Sequence, residues 1–324
     1  MLMTLPYKTK QFLVVLLKLS IVVGAFYVII DKLTSNDELE FQTFFKFLRE
    51  KSFFSVKTIF FLLILTVFNW FLEILKWKTL VSLVIPISLK NTFEQSLGAL
   101  TASLLTPNRI GEYGAKAIYY AKPFRKKIML LNLLGNMMQM TATVLFGIVG
   151  IVLLMQFYHL QLNYTLVFIL IAIFLIVALL IVFALKTDKF EIKGFSAKKI
   201  KGFLKSIPSN LWFKGLTLSV GRYLIFSFQF YVLLKTFGAE IGYFQAIMVI
   251  TSMYLVASVV PSISIFDVVI KGSVAVYLFS FVGVNNLTVL CVVMLMWILN
   301  FVIPSIFGSY YVLNFNFPKS EDSL

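Results

Sequence analysis

One cysteine, Cys291, and one histidine, His159, are all that 324 residues provide of those two types. A disulfide framework needs paired cysteines and a cysteine cluster needs several, so neither is built here, and Cys291, inside an apolar run, reads as packing. His159 has no second ligand near it in sequence, which argues against a histidine metal site. Charge is also scarce: 13% of residues are charged, against about 25% in soluble globular proteins. Acids are scarcer than bases, 14 against 29. The resulting net charge of +15 does not point to nucleic acid, because the basic residues lie in short loops beside apolar stretches. Neither a nucleophile triad, nor a phosphate-binding glycine loop, nor a metal-ligand cluster is present, so no enzymatic activity, cofactor or metal is expected.

What the chain has instead is hydrophobicity, 60% of its residues with a mean hydropathy of +0.93. Several runs reach the roughly 20 residues that cross a hydrocarbon core. Backbone groups in lipid must be satisfied within the segment, so the spans are helices and the fold class is an all-α polytopic membrane protein. The spans read as Phe12 to Ile30, Val56 to Leu75, Ile128 to Met155, Thr165 to Leu185, Leu211 to Leu234 and Asn286 to Leu313. Between them lie two broken segments, Phe93 to Ala121 and Phe244 to Val282.

Loop charge sets the orientation. The lysine-rich loop from Lys186 to Asn210 and the group Lys122, Arg125, Lys126 and Lys127 face the cytoplasm, while the loop from Gln156 to Tyr164, without lysine or arginine, faces outward. Both termini are then cytoplasmic, and Phe41 to Phe54, with aromatics and charges interleaved, suits the interface. The first limb of the first broken segment, Phe93 to Thr106, spans about 21 Å as a helix, short of a core of roughly 30 Å. A re-entrant hairpin fits that length, although two full crossings preserve the same parity.

Helix, helix, broken hairpin, helix then occurs twice, at an offset of about 154 residues throughout. The units run from 12 to 155 and from 165 to 314 within one transmembrane domain, 1–324. Each holds three full crossings, an odd number, so the second unit is expected upside down. Inverted repeats whose broken helices meet near the midplane recur in membrane transporters.

The two broken segments also share a charged pattern. Pro107 is followed by Arg109, Gly111, Glu112 and Lys116, and Pro261 by Asp267 and Lys271. Each proline breaks a helix, and each carboxylate has a lysine four residues on, on the same helical face. Intramembrane charges are functional-site candidates, and Arg222, inside a span without a counterion at helical spacing, needs a partner from another helix or an anionic ligand. Glu73 and Lys76 read as helix ties or as side chains that snorkel to the interface. Trp77 and Trp212 read as interface markers.

The stretch from Leu100 through Thr106, Pro107, Asn108, Arg109, Ile110 and Gly111 to Glu112 resembles the signature of the flippase-like transmembrane family that includes the membrane domain of lysylphosphatidylglycerol synthases. The resemblance covers nearly the whole chain. At the second hairpin the chain departs from the family's glycine-rich pattern, with Ser262, Ile263, Ser264, Ile265 and Phe266 before an aspartate. The resemblance implies movement of lipids between leaflets, with aminoacylated phospholipid as a known cargo and lipid-linked glycans as another. Full-length synthases add a soluble aminoacyl-transferring domain; this chain ends at Leu324, soon after its last helix, and is expected not to be a synthase. The expected function is a lipid translocase of the cell membrane whose partners are lipids with anionic or zwitterionic headgroups. Arg109, Glu112, Lys116, Arg222, Asp267 and Lys271 would bind the headgroup, and Pro107, Gly111 and Pro261 would break the hairpins. The alternatives are a small-solute secondary transporter and a non-catalytic scaffold for an envelope enzyme.

Overall fold

A computed structural model of the chain describes residues 55–104, 106, 109–158, 191–192, 195–259 and 267–316, together with Val23. The expected spans Phe12 to Ile30 and Thr165 to Leu185, the interfacial segment Phe41 to Phe54, and Pro107, Asn108, His159 and Pro261 lie outside the described residues, as does the side chain of Asp267.

Ten α-helices occur among the described residues: α1 Val56–Val81, α2 Leu89–Ser103, α3 Gly111–Ala117, α4 Lys122–Tyr158, α5 Ala197–Lys205, α6 Ser209–Thr236, α7 Tyr243–Val259, α8 Asp267–Ser280, α9 Asn286–Trp297 and α10 Ile303–Asn314. A two-residue antiparallel pair, β1 Glu191–Ile192 with β2 Phe195–Ser196, precedes α5. Four helices are long and apolar enough to cross a membrane, namely α1, α4, α6 and the α9 to α10 unit running Asn286–Asn314. The lysine-rich loop is thus partly helical, and α1 runs past Leu75 to Val81, carrying Lys76 and Lys78 inside the helix rather than in a loop.

Three helix pairings organise the bundle. Helices α1 and α6 are antiparallel: Glu73 meets Arg222, Thr66 meets Gln229, and Leu72 lies against Gly221. Helix α2 packs on α10, where Gly308 brings the α10 backbone against the Leu97 carbonyl and the Thr101 hydroxyl. Helix α7 packs on α4 in the same way, with Gly147 and Gly150 against Leu255 and Thr251. Small residues permit such close approach where the bilayer supplies no hydrophobic drive for helix association. The first limb of each broken segment therefore lies on the last helix of the other half of the chain.

Polar side chains in the spans face inward and find one another. Asn69 Nδ2 donates to Asn300 Oδ1 at 2.7 Å, Asn300 Nδ2 to Gln229 Oε1 at 2.9 Å, and Gln229 Nε2 to Thr66 Oγ1 at 2.9 Å. Helices α1 and α6 are thus tied to the final span through its interior. Between α9 and α10 the helix widens into a π turn, Ile298–Val302, whose cause is readable. Pro304 lacks an N–H, so the Asn300 carbonyl four residues earlier loses its helical donor. Trp70 Nε1 donates to that carbonyl at 3.0 Å. Tertiary structure satisfies what the proline left open.

Gly308→Val would drive a side chain onto the Leu97 backbone, which cannot step aside, and is expected to cost about 1–3 kcal/mol. Gly114→Ala, with nothing within 4 Å of the added methyl, is expected to be neutral or stabilising. Thermal unfolding in detergent separates the two.

Candidate functional site

The turn between α2 and α3 is built by its own side chains. The Thr106 N–H donates to the Ser103 carbonyl at 3.0 Å, and the Thr106 hydroxyl accepts the Gly111 N–H at 2.8 Å. A Cβ at Gly111 would lie 2.8 Å from the Thr106 methyl, so the closeness of this turn requires glycine there. Arg109 adopts φ 56°, the left-handed region that a side chain disfavours. Strain of this kind persists where surrounding contacts over-determine it, and here the Arg109 carbonyl accepts the Glu112 N–H at 3.0 Å while its side chain grips the Glu112 carboxylate.

Glu112 and Lys116 meet as their spacing predicts. Lys116 Nζ donates to Glu112 Oε1 at 2.8 Å and to Asn132 Oδ1 of α4 at 2.8 Å, and it lies 4.4 Å from the Trp77 ring centre. Its side chain is 2% exposed. Arg109 Nη2 holds the other carboxylate oxygen at 2.9 Å. One carboxylate thus serves two cations, and the face of Trp77 adds a cation–π contact.

A second ionic group lies beside the first, on α1 and α6. Glu73 Oε2 is 2.7 Å from Lys76 Nζ and 3.0 Å from Arg222 Nη1. Arg222 therefore finds its counterion on another helix, one of the two alternatives its isolation allowed. Lys76 is 2% exposed, which corrects the expectation that it snorkels. The helix continues past it and α4 closes over it, with Gly135 facing Leu80 and the Lys76 methylenes. The reading of Glu73 as a helix tie holds. Trp77 is likewise buried, not interfacial: its Nε1 donates to Gln95 Oε1 at 2.9 Å, and Tyr120 donates to the same oxygen at 2.8 Å.

A polar stripe on α4 joins the two groups. Asn132 contacts Lys116, Asn136 Nδ2 donates to the Tyr113 hydroxyl at 3.0 Å, and Gln139 Oε1 is 3.5 Å from Arg222 Nη1. Two donors in this region have no hydrogen-bond partner among the described residues, Asn132 Nδ2 and Arg222 Nε, and both atoms are buried. From the second broken segment, Lys271 Nζ lies 5.7 Å from the Phe301 ring centre, and the Arg109 guanidinium lies 5.7 Å from the same centre. The two cations are therefore at most twice that distance apart.

Of the candidates the sequence offers, the structure brings together Arg109, Glu112 and Lys116, sets Arg222 on Glu73 and Lys271 at Phe301, and it adds Asn132, Gln139, Trp70 and Phe301, which the sequence does not single out. A signal for the amides existed: positions 132, 136 and 139 are polar at helical spacing within an apolar span, as are 66, 69, 73 and 76. Phe301 and Trp70 carried none, since both are ordinary in a membrane helix.

Breaking a buried pair by removing one member typically costs about 3–5 kcal/mol. Glu112→Gln should destabilise strongly, since it strips buried Lys116 and Arg109 of their shared carboxylate, and adding Lys116→Met should recover part of the loss because only the partly exposed Arg109 is then left unpaired; a thermal-unfolding cycle in detergent measures this. At the strained position, Arg109→Gly should be more stable than Arg109→Ala by about 1 kcal/mol, the usual penalty for a side chain in that conformation.

No characterised protein and no solved structure matched the chain. One family model does, that of the lysylphosphatidylglycerol synthase TM region, over residues 15–308. With most of its length matched and four helices that can span a bilayer, the chain is a multi-pass membrane protein belonging to the lysylphosphatidylglycerol synthase transmembrane-region family.

Proposed function

We propose that this protein is a lipid translocase, in which a phosphate-bearing headgroup passes between two re-entrant hairpins while its chains stay in the bilayer. The observation that carries the reading is the ionic constellation itself: Arg109, Glu112, Lys116, Glu73, Lys76 and Arg222 gathered between a helix break and three spans. Charges in such a place cost at least about 2.5 kcal/mol each on insertion scales, and a polar route for a charged headgroup is a reason to keep them. Arginine suits a phosphate because its planar fork offers parallel charge-assisted hydrogen bonds.

The helix pairings support an inverted repeat. Helices α1 and α6, equivalent under the offset of about 154 residues, cross antiparallel, as elements related by a twofold axis in the membrane plane would. Under the same offset the contact of Gly308 with Leu97 maps onto Thr251 and a position four residues, about one helical turn, from Gly150. The exchange of hairpin limbs between halves suits rocking of one unit against the other around a fixed site. Basic residues support an orientation too: Lys78, Lys90, Lys122, Lys126, Lys127, Lys201, Lys205 and Lys214 belong to the helix ends around the Trp77, Ile128, Ile207 and Leu211 cluster, against Lys57 and Lys235 at the far ends of α1 and α6. That end is the cytoplasmic one on the positive-inside rule, and the feet of the first hairpin, Leu89 and Ala121, open there.

Purified protein in liposomes with headgroup-labelled lipids should exchange a phospholipid between leaflets. Arg222→Gln is expected to slow exchange at least about tenfold, the effect of losing one charge-assisted hydrogen bond in a buried site. Exchange that is unchanged in Arg222→Gln and in Arg109→Gly would sink the reading, and uptake of a water-soluble solute in its place would identify a secondary transporter.

A further inference from the structure

The constellation is out of electrical balance. Among the described residues it holds four cations, Arg109, Lys116, Lys76 and Arg222, and two carboxylates, Glu112 and Glu73, all joined through ion pairs or through α4. The excess is two positive charges. Every group but the two arginines is nearly sealed from solvent: the side chains of Lys76 and Lys116 are 3% and 2% exposed, and those of Glu73 and Glu112 11% and 9%. Each buried lysine has its own carboxylate, so the two charges in excess fall to the arginines, whose side chains are 31% and 21% exposed and can meet an anion from the open side of the site.

Donors are left over where such an anion would lie. Asn132 is 2% exposed, and its Nδ2 has no partner among the described residues. Its orientation is fixed, because Oδ1 accepts the Lys116 ammonium. Arg222 Nε is in the same condition. Both can only donate, so both ask for acceptor oxygens. Asn132 and Gln139, which touch the two ionic groups, are seven residues apart on α4, or about 10 Å along the helix.

We propose that the ligand of this site carries at least two negative phosphoryl charges, as a lipid diphosphate or a lipid phosphomonoester does, and that a singly charged phosphodiester or a zwitterion is the weaker ligand. This rests on the translocase reading only for the site's being a ligand site. A phosphodiester neutralises half of the excess, and a zwitterion neutralises none of it. A lysylated phosphodiester, with two amines against one phosphate, adds to it. A diphosphate, with at least two negative charges on adjoining phosphoryl groups, answers the charge in full. A phosphomonoester at pH 8 answers the charge, and loses that match as pH falls through its second pKa of about 6.

The test measures binding to the purified full chain in neutral detergent by ligand-induced thermal shift, with farnesyl diphosphate, phosphatidic acid, phosphatidylglycerol, lysylated phosphatidylglycerol, phosphatidylcholine and inorganic diphosphate as probes. Farnesyl diphosphate, and phosphatidic acid at pH 8, are expected to bind at least about tenfold more tightly than phosphatidylglycerol. The advantage of phosphatidic acid should shrink at pH 5, where phosphatidylglycerol is unchanged. Inorganic diphosphate binding as well as farnesyl diphosphate would assign the same charge class to a soluble source, and weaker binding assigns it to a lipid. Asn132→Asp supplies one carboxylate in place of the orphan donor while still accepting from Lys116; the protein should fold, and its preference for two charges over one should narrow. Tightest binding of a zwitterion, a phosphodiester or its lysylated form, or a preference unmoved in Asn132→Asp, overturns the proposal. Leaflet exchange is read separately. Binding of a diphosphate without exchange removes the translocase reading and leaves this one, whereas exchange of phosphatidylcholine or lysylated phosphatidylglycerol alone does the reverse.

Discussion

An ammonium group sealed from water must be surrounded by polar partners, and the enclosure of Lys116 draws on nearly every part of the site. It takes a carboxylate from its own short helix, an amide oxygen from α4 and the face of Trp77 from α1. Those contacts hold α3 against two spans that are distant in sequence. The break before α3 is in turn fixed by Thr106 and Gly111, so a left-handed residue at Arg109 is tolerated because leaving it would release the carboxylate that Lys116 requires. Cost in one place is met by geometry in another.

The same logic explains the polar seams in the long helices. Thr66, Asn69, Glu73 and Lys76 run along the buried side of α1, and each finds a partner on α6, on the final span or one turn away. In water such groups could turn outward. In a bilayer they cannot, and their pairing selects which helices are neighbours. Pro304 belongs to this account: the carbonyl it leaves without a helical donor accepts from Trp70, and the helix widens next to Phe301, whose ring lies near cations of both broken segments.

Much of the architecture was legible in the chain because it follows from local rules. The length and composition of α1, α4, α6 and the α9 to α10 unit dictated spanning helices, and the contact between Glu112 and Lys116 followed from their spacing. Helix α1 starts at Val56 as expected, and its C-terminal end lies beyond the expected one for a physical reason. A lysine at the edge of an apolar run looks like the start of a loop, and only the closure of α4 at Gly135 shows that Lys76 is interior. Trp77 was read as an interfacial anchor on the same local grounds, yet it is a platform for Lys116.

By itself, then, the sequence determined that the chain lives in a membrane, which of the described segments form long apolar helices, where the first broken segment is interrupted and that Glu112 and Lys116 share a helical face, since each depends on neighbours within a few residues. The tertiary structure decided which charges share a counterion: Arg222 with Glu73 across 149 positions, Lys116 with Asn132, and Arg109 and Lys271 around one phenylalanine. Those pairings depend on how antiparallel helices slide into register, and register is set by glycine contacts and amide bonds between segments that no local pattern joins.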